Sequence, residues 1–238
     1  MNENTVTMII DGREIQANAD QTIMQAADNA GIYIPRLCYH NDLEPGGHCR
    51  ICTVKVNGRA CSACTFPVAD GLVIETDTDE LNEARRKVVE MLFVEGNHFC
   101  PFCEKSGNCE LQALAYRLGV MAPTYPYLYQ RKKVDASHKD VYIDRDRCVL
   151  CGRCVRSSRD LDKKVVFGFE GRGINTSIAI DTEYNLAATV LEAADKATEM
   201  CPTGSIVIKR KGYEMPYGTR LYDKEPIGSD IEKNKAIN

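Results

Sequence analysis

Asp144-Arg-Asp-Arg-Cys148-Val-Leu-Cys151-Gly-Arg-Cys154-Val-Arg, answered far downstream by Met200-Cys201-Pro202, decides how this 238-residue chain is read. Three thiols at three-residue spacing let one short loop cover three corners of a cubane, and a distant residue closes the fourth. That is the ligand pattern of a [4Fe–4S] cluster. Soft thiolates also admit zinc, so the four sulfurs by themselves leave two metals open.

In the bacterial two-cluster run, Cys-Pro follows the triple after three residues, and its Cys serves the other cluster. Here that slot holds Ser158-Arg159. Counting back from Cys201 by the motif's own spacing reaches Leu191, Ala194 and Ala197, so the register of a second triple persists without its ligands. The reading is a bacterial-ferredoxin-like domain over residues 139–210, reduced to one cluster on Cys148, Cys151, Cys154 and Cys201. Leu191, Ala194 and Ala197 would also share one face of a helix, and an apolar core stripe accounts for them equally well.

Upstream, residues 78–138 open on Asp77 or Thr78 as a cap for a helix over 79–94, with Leu81, Ala84, Val88 and Met91/Leu92 on one face. The helix leads into Asn97-His98-Phe99-Cys100-Pro-Phe-Cys103, then Cys109, and a second short amphipathic helix carries Leu111, Leu114, Ala115 and Leu118 up to Gly119. His98, Cys100, Cys103 and Cys109 form a four-ligand set. Zinc suits the same donors, and the company of further cysteine sets favours a second [4Fe–4S] cluster. A neutral imidazole in place of a charged thiolate would raise its potential. The Pro-, Tyr- and Lys/Arg-rich stretch 123–139 reads as a packed linker rather than an RNA-binding surface.

Residues 1–77 alternate strand and turn signals: Thr5 to Ile10, Asp11-Gly12, Arg13 to Ala17, then Ile51 to Val56, Asn57-Gly58, Arg59 to Cys64, and Val73 to Thr76. Thr22 with Gln25 forms a possible capping box for a helix over 22–30, stopped by Gly31. Strands with one crossing helix in this length predict a small β-grasp sheet. The order Cys38, Cys49, Cys52, Cys64 suits a [2Fe–2S] cluster of the plant type. Gly46 and Gly47 allow backbone N–H groups to approach the sulfides. Cys61 competes for the fourth place, and a zinc ribbon on Cys49, Cys52, Cys61 and Cys64 has a short eight-residue spacer. His40 and His48 read as loop residues, because four cysteines already complete the set.

Composition narrows the class. A net charge of -4 and a pI near 5.7 recommend neither nucleic acid nor an anionic membrane as partner. Twelve cysteines, with no charged-then-apolar leader and no apolar run long enough to span a bilayer, predict a cytoplasmic protein whose cysteines bind metal. No G-x-G-x-x-G or Walker A motif occurs, so neither NAD nor flavin is expected on this chain by those means.

Eleven cysteines and one histidine in this order resemble the N-terminal part of the large iron–sulfur subunit of respiratory NADH:quinone oxidoreductase over residues 1 to about 210. The same module begins many iron-only hydrogenases and some NAD-dependent formate dehydrogenases. At this length, the segment Glu95 to Cys109 and the tail Gly212-Tyr-Glu-Met-Pro-Tyr-Gly218 are most similar to small diaphorase subunits of NAD-reducing [NiFe] hydrogenases. One residue, Phe99, separates His98 from Cys100 where the wider family places three. Cys64-Thr-Phe-Pro-Val resembles the segment that closes this class of [2Fe–2S] site, which selects Cys64 over Cys61.

The resemblance implies an α+β chain of three modules, 1–77, 78–138 and 139–210, and a tail over 211–238. It carries one [2Fe–2S] and two [4Fe–4S] clusters and no catalytic residue. It implies a flavoprotein partner holding FMN and reducing NAD, and the small and large subunits of a [NiFe] hydrogenase. By that analogy the Cys148 cluster faces the hydrogenase and the His98 cluster the flavin. The same subunit in a formate dehydrogenase, and a zinc-binding structural protein, are the competing readings.

Overall fold

The computed structural model describes residues 4–233. The ends of the first and last segments expected from sequence, residues 1–3 and 234–238, lie outside that range.

Strands β1 (Thr5–Ile10) and β2 (Arg13–Asn18) pair antiparallel from Thr5↔Asn18 to Ile10↔Arg13. Asp11 and Gly12 both take positive φ (49° and 77°), the turn geometry that Asp-Gly favours. Helix α1 (Ile23–Asn29) starts at Thr22 with the capping box to Gln25 complete. A second hairpin, β3 (Thr53–Val56) and β4 (Arg59–Ser62), turns at Asn57-Gly58. Strand β5 (Val73–Glu75) enters between β1 and β3, parallel to the first and antiparallel to the second, giving the order β2-β1-β5-β3-β4. Ile23, Met24, Ala26 and Ala27 of α1 are buried on Met8, Ile10, Val54 and Ile74 of this sheet. Each large apolar side chain so buried contributes about 1.5–3 kcal/mol. This is the β-grasp arrangement the strand pattern predicts.

Helix α2 (Asp79–Val94) has the predicted bounds, with Thr78 accepting from the Leu81 N–H and Asp79 and Glu80 in the electropositive first turn. Helix α3 (Glu110–Arg117) follows Cys109 directly. These helices share a second core with Leu37 and Ile51 of the first module.

In the third module β6 (Val134–Asp135), β7 (Val141–Asp144), α4 (Arg153–Asp160), the hairpin β8 (Phe167–Glu170) and β9 (Ser177–Ile180), α5 (Lys196–Glu199) and β10 (Ile206–Ile208) follow in order. Strand β7 lies between β10 and β6. Val134 and Asp135 of β6, upstream of residue 139, pair with Asp144 and Ile143 of β7. The helix expected through Leu191, Ala194 and Ala197 is confined to α5, and Ala194 is exposed while the other two are buried. Thr189 Oγ1 accepts from Leu191 N–H and an Asp195 carboxyl oxygen from Glu192 N–H, side-chain turns that compete with helix there.

The tail is more than an appendage. Tyr213 donates its hydroxyl to the Phe102 carbonyl (2.7 Å) and Tyr222 its N–H to Gly107 (3.0 Å). Its described part includes α6 (Ser229–Lys233), and Tyr222, Ile227 and Ile231 pack in the second core. Arg153, 2% exposed, ties all three modules: it holds both carboxyl oxygens of Glu110 and donates to the Tyr39 carbonyl at 2.7 Å. Among the described residues no helix is long and apolar enough to cross a membrane.

Candidate metal centres

In the first module Cys38, Cys52 and Cys64 are buried and Cys49 is half-buried, all on loops at one end of the sheet. Cys52 Sγ lies 3.4 Å from Cys64 Sγ. Cys49 hydrogen-bonds the Cys38 sulfur and so pushes its thiol down, and Cys52 does the same to Cys64. The donors Cys49 and Cys52 move up correspondingly. Backbone N–H groups of His48 and Cys49 also point at Cys38, and that of Gly47 at Cys64. Gly47 holds φ +67°, where its Cβ would be strained and would press on Thr65. Cys61 stands apart, opposite Val54 in the β3–β4 pair and against the first core.

Cys100 opens a single 3-10 turn (Cys100–Phe102) with Pro101 in its first positions, Cys103 follows it, and Cys109 stands at the N-cap of α3. With His98, Phe93, Arg147 and Gly204 they line one shared pocket. Phe99 turns outward, 61% exposed and stacked on Phe102, which lets His98 and Cys100 line the same space despite one intervening residue. The His98 ring packs edge-on against Phe93, and its Nε2 is buried with no hydrogen-bond partner. Burial and then the Arg147 charge hold His98 down at about 4, so at neutral pH it is the uncharged imidazole that metals bind. A buried, unpartnered ring nitrogen of this kind is available to a metal.

Cys148, Cys151, Cys154 and Cys201 line a second pocket, with Ile178, Thr203 and Ser205. Burial pushes Cys148 up to about 11 and Cys151 and Cys109 to about 12, and Cys154 rises well above its ordinary value. Thiols so buried need a cation to become thiolates, so loading releases protons. Among the described residues no three His, Cys, Asp or Glu side chains converge on one point closely enough for a single ion. The sulfurs stand around spaces instead, and the residues present fit polynuclear clusters.

The three sets touch in an order that differs from their order in the chain. Arg147, next to Cys148, reaches the Cys103 sulfur at 3.7 Å and Glu104 at 2.8 Å. Glu110 N–H donates to Pro202 across the same wall. A Cβ on Gly204 would lie 2.6 Å from Cys103 Sγ, so only glycine lets the two loops meet. On the other side His48, beside Cys49, places Nε2 2.8 Å from the Cys151 carbonyl and donates to it. Arg156 reaches the carbonyls of both Cys38 (2.6 Å) and Cys151 (3.2 Å). The Cys148 set is therefore in the middle. Sequence reasoning set His48 aside as a loop residue and passed over Arg147, Arg156 and Gly204. Only their closeness in sequence to cysteines, within three residues, hinted at them.

Family models match three stretches of the chain: a "2Fe-2S iron-sulfur cluster binding domain" matches residues 3–79. An "NADH-ubiquinone oxidoreductase-G iron-sulfur binding region" matches 85–123, and a "4Fe-4S single cluster domain" matches 141–208. The chain is 40% identical to the NAD-reducing hydrogenase HoxS subunit gamma of Cupriavidus necator, over 94% of this chain and 95% of that protein. It is 34% identical to the mitochondrial NADH-ubiquinone oxidoreductase 78 kDa subunit of Candida albicans, over 95% of this chain but 32% of that protein. A chain in the crystal structure of an NAD+-reducing [NiFe]-hydrogenase in the H2-reduced state superposes with a TM-score of 0.92 at 40% identity, covering 97% of this chain and 98% of that one.

Proposed function

The chain belongs to the family of the gamma subunit of NAD-reducing hydrogenase, and on that premise we propose that it is the iron–sulfur electron-transfer subunit of such an enzyme. Cys38, Cys49, Cys52 and Cys64 hold a [2Fe–2S] cluster. His98, Cys100, Cys103 and Cys109 hold one [4Fe–4S] cluster, and Cys148, Cys151, Cys154 and Cys201 the other. Bound there, such clusters supply reversible one-electron transfer. No residue of this chain carries out bond chemistry in this reading; FMN and NAD belong to a flavoprotein partner, and H2 to the small and large [NiFe] hydrogenase subunits.

The observation that carries the reading is contact between three sulfur-lined sites within one chain. Arg147 and Gly204 join the His98 site to the Cys148 site, and His48 and Arg156 join the latter to the Cys38 site. The Cys148 site is then the middle of the relay, which revises the expectation that it faces the hydrogenase. The two outer sites are the ones left to meet partners. The protein's work is to exclude water, fix sulfur positions and set potentials through ligand type, hydrogen bonds and nearby charge. A zinc-only protein accounts less well for these sites, because among the described residues no three His, Cys, Asp or Glu side chains gather closely enough for one ion, around which sulfurs close to about 2.3 Å.

The test is H2-dependent NAD+ reduction by the native complex, recovered anaerobically through a tag on this chain. Cys201→Ser should abolish it while leaving NADH–dye activity. NADH–dye activity without any response to H2, with molybdenum or tungsten in the complex, would transfer the chain to a formate dehydrogenase.

A further inference from the structure

Two arginines one helical turn apart on α4, Arg153 and Arg156, both reach from the third module to the first. They differ in how their charge is met. Arg153 is held by both carboxyl oxygens of Glu110. Arg156 spends its donors on the carbonyls of Glu44, Cys38, Cys151 and Gly152. Among the described residues no carboxylate lies within 4 Å of its guanidinium, and Asp160, one turn on, is engaged by Arg159. Its NH2 group donates to the carbonyls of two ligand cysteines from different sites. An unneutralised cation therefore sits at the junction of the Cys38 and Cys148 sets. Two NH groups of its neighbourhood, from His48 and Arg156 itself, share the Cys151 carbonyl.

We propose that Arg156 is a positioning residue that sets the potentials of both sites together. Its charge stabilises an added electron on either one, because each set becomes more negative when reduced. The effect is the same in sign at both. The His98 site, whose neighbouring cation is Arg147 paired with Glu104, lies on the far side and is not under its control. The guanidinium is half-buried, so solvent screens part of the interaction.

The inference rests on the cluster assignment above, and the experiment separates the two. Iron and acid-labile sulfide are counted first on the wild-type complex, then potentials are read by EPR-monitored titration for wild type, R156Q and R156K. Absence of iron in the wild type refutes the cluster reading itself. With iron present, R156Q should lower the reduced-to-oxidised ratio at fixed ambient potential by about three- to tenfold at both the Cys38 and the Cys148 sites, where tenfold is about 59 mV for one electron. The His98 site should move by less than about twofold, and R156K should stay near wild type at all three. A shift at one site only, an equal shift at all three, or no shift overturns the proposal. If R156Q does not hold its iron, R156K decides: ratios near wild type at both sites keep the proposal, and a drop at either overturns it.

Discussion

Gly204→Ala is the most discriminating single change. The added methyl would lie 2.6 Å from Cys103 Sγ, with Lys105 Cβ at 3.4 Å and Arg147 Cδ at 3.5 Å. The first contact is 0.8 Å inside the 3.4 Å edge of ordinary packing (3.4 minus 2.6). A free side chain could swing away, but a sulfur fixed to a cluster cannot, so the clash falls on the metal site. Overpacking of this kind costs about 1–3 kcal/mol, or roughly 5- to 150-fold in retention of the His98 cluster. Cys103 Sγ and Lys105 Cβ belong to the His98 side of the wall, while Arg147 directly precedes Cys148. The assay is anaerobic reconstitution of the full chain, a chelator challenge, and iron, sulfide and EPR afterwards. G204A should shed about four iron atoms at a chelator concentration the wild type withstands, with the other two signals intact. Gly168→Ala, with nothing within 4 Å of the new Cβ and no positive φ, is the matched control. Full retention in G204A, or equal loss from all sites, would refute the placement of Cys103 as a fixed ligand against that loop.

His98→Cys should keep the iron while lowering that cluster's potential, because a charged thiolate replaces a neutral imidazole; an unchanged potential in redox titration speaks against ligation by His98. Cys64→Ser should abolish the [2Fe–2S] signal and Cys61→Ser should leave it, as EPR of the dithionite-reduced chain would report; the opposite pattern exchanges their roles. Glu110→Ala leaves Arg153 buried and unpaired, an expected cost of about 3–5 kcal/mol in denaturant titration. The double change Glu110→Leu with Arg153→Met should recover part of it, and a loss under about 1 kcal/mol for E110A would mean the pair does not clamp the modules.

Most of the fold was legible because local chemistry and tertiary structure agree. Asp11-Gly12 and Asn57-Gly58 fix two hairpins, Thr22 with Gln25 fixes α1, and Thr78 fixes the start of α2. The helix expected through Leu191 and Ala197 failed where Thr189 and Asp195 bond the backbone locally, an outcome that apolar spacing does not report. The cysteine sets can be proposed from sequence because ligand spacing is a local property. The order of the sites was not. It depends on Arg147 meeting Cys103 and on His48 meeting Cys151, contacts spanning 44 and 103 residues that no motif encodes. The role of the tail was hidden for the same reason, since Tyr213 and Tyr222 bond the Cys100–Cys109 loop from more than a hundred residues away.

The central claim is that one chain holds three clusters on twelve named ligands. Iron and acid-labile sulfide per chain, on anaerobically purified full-length protein, test it most directly. The account predicts about ten iron atoms. About six, with the His98 signal missing, would remove one cubane. A colourless chain carrying zinc in place of iron would contradict the account altogether.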